Sequence, residues 1–250
     1  MNEAPTEQGC NAREAARFTA THWSVVLASG HGDSEHRAAA LEILCRTYWE
    51  PLYAYLRFLG HPAHDAEDLT QAFLLHLLAG EALAAVNPQK GRFRSFLLKS
   101  LRNFVADERD CALAARRGGG QQVVSLDAEL AERHCRDALA DAGSAEALFD
   151  RRWAMGVINR AFARLQEEFM AEGKSTQMVE LGPFLAGDGD SAQYQGAGQR
   201  LNMSPGAVAV AVHRLRQRYR ECIRAEIAQT VTTPAEAEEE MRYLLEVLIQ

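Results

Sequence analysis

The stretch QRLNMSPGAVAVAVHRLRQRYR, Gln199–Arg220, decides the interpretation of this chain. Its first three residues are expected to end one helix, and Asn202 and Met203 to form a turn. Ser204 is a good N-cap, and Pro205 suits the first helical position, where the N–H that proline lacks would have no partner. A second helix is therefore expected to begin at Pro205, and the pattern predicts a helix-turn-helix.

The second of these helices has one dry face and one basic face. Apolar residues recur at every third or fourth position, as in an amphipathic helix: Val208, Val212, Leu215, Tyr219 and Ile223. The opposite face carries the cations His213, Arg214, Arg216, Arg218 and Arg220. A capped helix of this kind suits the major groove of DNA. A protein-binding bundle helix is the alternative, and the cap and the register of the turn favour DNA.

Length and composition fit a globular protein with one large core or two modest ones. The chain has 250 residues, of which 47% are apolar and 24% charged. No apolar run approaches the roughly 20 residues that span a bilayer, and no secretory signal is visible, so a cytoplasmic location is expected. The five cysteines are scattered and odd in number, which argues against a disulfide framework and a zinc site.

The charge is distributed unevenly along the chain. Overall, 27 Lys and Arg against 34 Asp and Glu give a net charge of −7, which argues against a nonspecific nucleic-acid coat. The segment Lys90–Arg117 nevertheless carries eight basic and three acidic residues, and the C-terminal tail is acidic. Basic islands in an acidic protein indicate local contacts with DNA.

The organisation predicted from periodicity is all-α, with two helical domains joined by a flexible linker. The first domain is assigned to residues 18–117, the linker to 118–150, the second domain to 151–230 and an acidic C-terminal helix to 231–250. Within the first domain, Pro51 is expected to kink or restart a helix. The tail could fold back on the second domain, cover a basic DNA face, bind another protein, or simply pack through Leu244, Leu245 and Leu248.

Three stretches, in this order, resemble bacterial RNA polymerase sigma factors of the extracytoplasmic-function group. Leu52–Leu78 resembles the region 2 helices, and its Asp65–Gln71, DAEDLTQ, is close to the signature DAEDLVQE. Gly91–Asp110 is similar to the segment that melts and reads the minus-ten promoter element. Gln199–Arg220 resembles region 4.2, which reads the minus-thirty-five element.

The resemblance implies a polymerase-binding face on the helix that carries DAEDLTQ. Its polar residues are expected to be partly outward and to dock on basic clamp helices of the polymerase: Asp65, Glu67, Asp68 and Gln71. The alternative for this segment is an acidic first turn that merely complements the helix dipole. The family usually has Glu after the Gln, whereas this chain has Ala72.

The resemblance also implies two sets of DNA contacts. The minus-ten set combines cations and a polar side chain that suit unstacked single-stranded DNA: Arg92, Arg94, Lys99, Arg102 and Asn103. The minus-thirty-five set lies on the helix-turn-helix: Arg200, Ser204, Pro205, Gly206, Ala209, His213, Arg214, Arg216 and Arg218. Alanine stands at 207, 209 and 211, where the family often has Thr, Lys and Arg. Direct base reading should therefore be sparse, with backbone contacts and DNA shape contributing more.

Together these features predict a sigma factor that binds core RNA polymerase and directs promoter recognition. No catalytic residue, cofactor or metal is expected, and an anti-sigma protein is a further partner. One alternative is a helix-turn-helix regulator that binds duplex DNA but not polymerase. Another is a metal hydrolase built on His61, His64 and Asp65, for which the sequence positions no third ligand.

Overall fold

The computed structural model describes residues 34–78, 93–114, 143–187, 189–231 and 233–249, and the regular structure there is entirely helical. This confirms the predicted all-α class. The eight α-helices of the described residues are α1 (Ser34–Phe58), α2 (Ala63–Leu78), α3 (Phe93–Ala114), α4 (Ala145–Ala171), α5 (Ser175–Leu181), α6 (Ser191–Leu201), α7 (Pro205–Ala228) and α8 (Pro234–Ile249). A 3-10 turn, Gly182–Leu185, follows α5.

These helices form two compact units, and α4 contributes to both. The first unit holds α1, α2, α3, the start of α4 as far as Met155, and α8, while the second spans Gly156–Ile227. The C-terminal helix is thus part of the first unit and not a separate segment. Residues 145–150, predicted to be linker, are helical, and Leu148 and Phe149 are fully buried. Two apolar side chains in an alanine-rich stretch give too weak a periodicity to predict the helix.

The core of the first unit is built from large side chains of α1 and its neighbours. Leu52 and Leu56 of α1 are fully buried, as are Phe73 of α2 and Leu101 of α3. Tyr48 contacts rings from two other helices, with centroids 5.4 Å from Phe93 and 6.4 Å from Phe149. Aromatic pairs of this kind add to the stability from apolar burial.

Helix α1 continues through Pro51, so the predicted restart there is wrong. Proline interrupts a helical hydrogen bond, but Pro51 is itself buried and the five residues that follow it are buried too. Packing on both sides of the proline therefore holds the helix together. The chain turns after Phe58, where Gly60 has φ +92° and Arg57 donates to the carbonyl of His61 at 2.6 Å. Helix α1 therefore ends at this turn.

The second unit contains the predicted helix-turn-helix with its expected boundaries. Helix α6 ends at Leu201, Asn202 adopts the left-handed conformation with φ 53°, and the Met203 amide donates to the Gly198 carbonyl at 2.8 Å. The Ser204 hydroxyl then accepts from the Ala207 amide at 3.2 Å, which caps α7. These local bonds fix the turn between the two helices.

Candidate nucleic-acid interface

Helix α2 presents a mixed acidic and apolar stripe. Asp68 is exposed and Leu75 is 65% exposed, while Asp65 and Gln71 are half-buried. Glu67 is buried and accepts a hydrogen bond from Gln71 at 3.3 Å, so its predicted outward position is wrong. The reason is helical spacing, since Glu67 lies three residues before Thr70, which is fully buried.

The polar face of α3 contains three of the five residues predicted for minus-ten DNA. Lys99, Arg102 and Asn103 are exposed. Lys99 makes no ion pair with the described residues, whereas Arg102 donates from Nε to the Tyr55 hydroxyl at 2.7 Å and pairs with Glu146. Arg102 is therefore oriented by contacts inside the first unit.

Arg94, a fourth member of that predicted set, is not on this face. Its side chain is 6% exposed, because residue 94 shares a buried stripe of α3 with Leu97, Leu98 and Leu101. The structure contradicts its assignment as a DNA contact. Arg92, the fifth member, lies outside the described residues.

The Arg94 guanidinium is enclosed by charged and aromatic groups from α4 and α8. Its Nη1 lies 2.8 Å from a Glu240 carboxylate oxygen, an ion pair without hydrogen-bond geometry, and its Nε lies 3.5 Å from Asp150. The guanidinium carbon is 4.6 Å from the Trp153 ring centroid and 3.9 Å from that of Tyr243. The Tyr243 hydroxyl also donates to Asp150 at 2.6 Å. We call these five residues the Arg94 cluster.

The Arg94 cluster explains how α8 packs. Ala237, Glu240 and Leu244 are buried, whereas Leu245 is 51% and Leu248 39% exposed. The expectation that Leu244, Leu245 and Leu248 would pack the helix is therefore correct only for Leu244. The buried face of α8 contains the carboxylate of Glu240, so the pattern of apolar residues alone does not identify that face.

The cations of the helix-turn-helix fall into two groups. Arg214 and His213 are exposed on α7 and make no ion pair with any described residue. Arg216 instead donates to the Phe184 carbonyl at 2.7 and 3.0 Å and to the Gly187 carbonyl at 2.7 Å. Those bonds tie α7 to the 3-10 turn, so Arg216 supports the fold of this unit.

Two other predicted DNA contacts are also engaged within the second unit. Arg218 lies 2.7 Å from Glu168 and 2.6 Å from Glu221, and its guanidinium lowers the pKa of the Glu168 carboxyl below its usual value. Arg200 pairs with Glu180 at 2.5 Å. By contrast, Ser204, Pro205, Gly206 and Ala209 are exposed around the start of α7.

Two further exposed residues lie on the same face of α7. Arg220, one of the cations of the predicted basic face, is exposed without an ion pair to described residues, and Val210 is 52% exposed. The sequence did not indicate Val210, because a valine between the apolar residues Val208 and Val212 is expected to lie in the core.

No three His, Cys, Asp or Glu side chains within the described ranges are grouped as a metal site would require. His64 and Asp65 form only an exposed pair, with 2.9 Å between Nε2 and the carboxylate. None of the described helices is long and apolar enough to span a membrane.

The comparison with known families agrees with the helices of the first unit. Residues 44–112 match the family described as Sigma-70 region 2. This segment of the chain is therefore a sigma-70 region 2. No curated protein and no solved structure gives a significant match. The match supports a role for this chain in promoter recognition.

In this protein, region 2 is extended by parts of the chain beyond the match. The matched segment covers most of α1, all of α2 and most of α3. The residues that enclose Arg94 come from α4 and α8, which follow residue 112 in the sequence. Region 2 of this protein is therefore completed by its own C-terminal helix.

Proposed function

We propose that this protein is a sigma factor of the extracytoplasmic-function group that binds core RNA polymerase through region 2. The observation that carries the proposal is the region 2 match over α1–α3 in a chain that also contains a capped helix-turn-helix. The proposed division of labour gives polymerase binding and the minus-ten element to the first unit. The second unit, with α7, reads the minus-thirty-five element.

The proposed polymerase-binding face is the exposed stripe of α2. Asp68 makes no ion pair with described residues. Leu75 lies about two helical turns further along the same helix and adds exposed apolar area. A carboxylate free to meet a basic partner speeds the encounter and fixes the register of the complex. Asp65 and Gln71 flank Asp68 on this helix.

The proposed minus-ten contacts are the exposed polar residues of α3. Lys99 supplies a cation for phosphate and Asn103 hydrogen-bonding groups for an unstacked base. Arg102 reaches the same face but is held by Tyr55 and Glu146, so DNA would have to compete with that carboxylate.

The experiment that tests the proposal is co-elution of the full chain with sigma-free core RNA polymerase on a sizing column. We expect the native chain to co-elute. The variant Asp68→Lys should elute separately because it places a cation opposite a basic surface, with its helical circular dichroism unchanged. The matched control is Glu239→Lys, which makes the same charge change at an exposed position of α8.

Separate elution of the native chain would instead favour the helix-turn-helix regulator that does not bind polymerase. Equal co-elution of both variants would remove α2 from the polymerase interface. An anti-sigma or other regulatory protein belongs to the proposed partners, and a cytoplasmic location follows from the proposed work with polymerase.

A further inference from the structure

The exposed face of α7 changes character along its length. Its first two turns expose Gly206, Ala209 and Val210, and the following turns expose His213, Arg214, Gln217 and Arg220. From residue 205 to residue 212 no side chain carries an oxygen or nitrogen atom. The face therefore begins as an apolar surface and continues as a cationic one.

Val210 is not needed by the core. Its neighbours Val208 and Val212 are 0% and 2% exposed and supply the packing of this turn, whereas Val210 is 52% exposed. Val210 adjoins the exposed Ala209 and Gly206, so the start of the helix presents a continuous apolar surface and not a single exposed side chain. Here Arg214 follows Val210 by four residues, which places it one turn further along the same face.

In a helix-turn-helix, the first residues of the second helix meet the edges of the bases. Every base carries hydrogen-bond donors or acceptors on its major-groove edge, and an apolar surface leaves these unsatisfied. Thymine also presents a methyl group, to which alanine and other apolar side chains bind. An apolar helix start thus selects thymine by contact with its methyl group and disfavours the other bases.

We propose that Val210 and Ala209 are specificity-determining residues that read thymine methyl groups in the major groove of the promoter duplex. This inference rests on the proposed function, since it requires α7 to enter duplex DNA. Arg214 and Arg220 then supply phosphate contacts beyond the apolar turn. We assign this surface to DNA and not to a protein partner because these cations continue the same face. The acidic Glu221 also lies on this face, but it is paired with Arg218.

The test uses the full chain and a pool of duplexes with a randomised central segment. We expect binding to enrich thymine at neighbouring positions. In the enriched duplex, those thymines are replaced by uracil, which removes the methyl group and keeps every hydrogen-bonding atom. Each methyl group lost should weaken binding about fourfold, given about 0.8 kcal/mol for a buried carbon.

The variant Val210→Ala identifies the side chain that makes the contact. At the thymine that Val210 contacts, it should bind the thymine and uracil duplexes within about twofold of each other, because the side chain there has lost two methyl groups, while the thymine contacted by Ala209 keeps its preference. The matched control is Val179→Ala, since Val179 is an exposed valine on α5 of the same unit, at 72%. It should keep the full preference for thymine.

The outcomes separate this inference from the proposed function. Binding that depends on Arg214 but is indifferent to uracil would overturn the methyl reading and leave the function standing. A uracil penalty that survives at every thymine in Val210→Ala would overturn the assignment to Val210. No binding to any duplex, by the chain alone or with core polymerase, would overturn both.

Discussion

Replacement of Arg94 tests whether the C-terminal helix is a structural part of region 2. The variant Arg94→Met keeps most of the apolar stem but leaves the carboxylates of Glu240 and Asp150 facing a buried site. The Arg94 and Glu240 side chains are 6% and 7% exposed. Breaking a buried ion pair from one side typically destabilises by about 3–5 kcal/mol, because the remaining charge is uncompensated.

That magnitude is large enough to measure by thermal unfolding. At about 2–4 °C per kcal/mol, the midpoint should fall by roughly 6–20 °C. The estimated loss of stability already includes the lost contacts between the Arg94 cation and the rings of Trp153 and Tyr243. Hydrogen exchange should also rise across residues 234–249, since α8 contributes Glu240 and Tyr243 to the cluster.

Two further variants make the result specific. Arg46→Met breaks an exposed pair with Glu42, in which the side chains are 77% and 61% exposed, and should cost about 0.3–0.5 kcal/mol. In the double variant Arg94→Met with Glu240→Leu, much of the lost stability should return, because the uncompensated carboxylate is removed. An Arg94→Met protein as stable as Arg46→Met, with α8 still protected from exchange, would refute the reasoning.

Three other predictions concern residues of the second unit. Arg214→Ala should weaken binding to every promoter and lower the slope of log affinity against log salt by about 1. Arg216→Met should leave that slope unchanged and lower the thermal midpoint of unfolding. The opposite pattern would mean that Arg216 contacts DNA and Arg214 supports the fold. Gly198→Ala should destabilise by about 1–3 kcal/mol, as measured in urea, because its Cβ would lie 2.6 Å from the Met203 carbonyl oxygen. Gly206→Ala, where a Cβ meets nothing within 4 Å, is its control and should not destabilise. Because the pKa of Glu168 is lowered in the folded protein, its carboxylate stabilises the fold above the ordinary pKa of 4.5, and this stabilisation is lost as pH falls through the lowered pKa. The variant Glu168→Gln should therefore lose less stability than the native chain between about pH 5 and 3. Parallel curves of stability against pH would count against the Glu168–Arg218 pair.

The parts of the fold that were predictable depend on neighbours in sequence. The ends of α6 and α7 follow from Asn202, Ser204 and Pro205, whose turn and cap chemistry acts within three or four residues. The apolar stripe of α7 also follows from the local sequence, since its buried residues Val208, Val212 and Leu215 are those that helical spacing selects. Such features need no knowledge of the rest of the molecule.

The Arg94 cluster was not predictable in this way. Arg94 looks like one cation of a basic segment, and Glu240 like one acid of a solvated tail. Only the packing of α8 against the first unit brings them within 2.8 Å. Glu67 was misplaced for a related reason, because a charged residue in a signature motif suggested a surface position while its place in the helical repeat required burial.

The internal pairing of arginines also explains how an acidic protein can present a DNA-binding face. Arg94, Arg200 and Arg218 are neutralised by carboxylates of their own units, and Arg216 is bound by backbone carbonyls. Among the described residues, Lys99, Arg214 and Arg220 are exposed on the proposed DNA faces and make no ion pair there. With a net charge of −7, nonspecific attraction of this chain to phosphate should be weak. We therefore propose that core polymerase strengthens the binding of this chain to promoter DNA, which is the behaviour expected of a sigma factor and not of a stand-alone regulator.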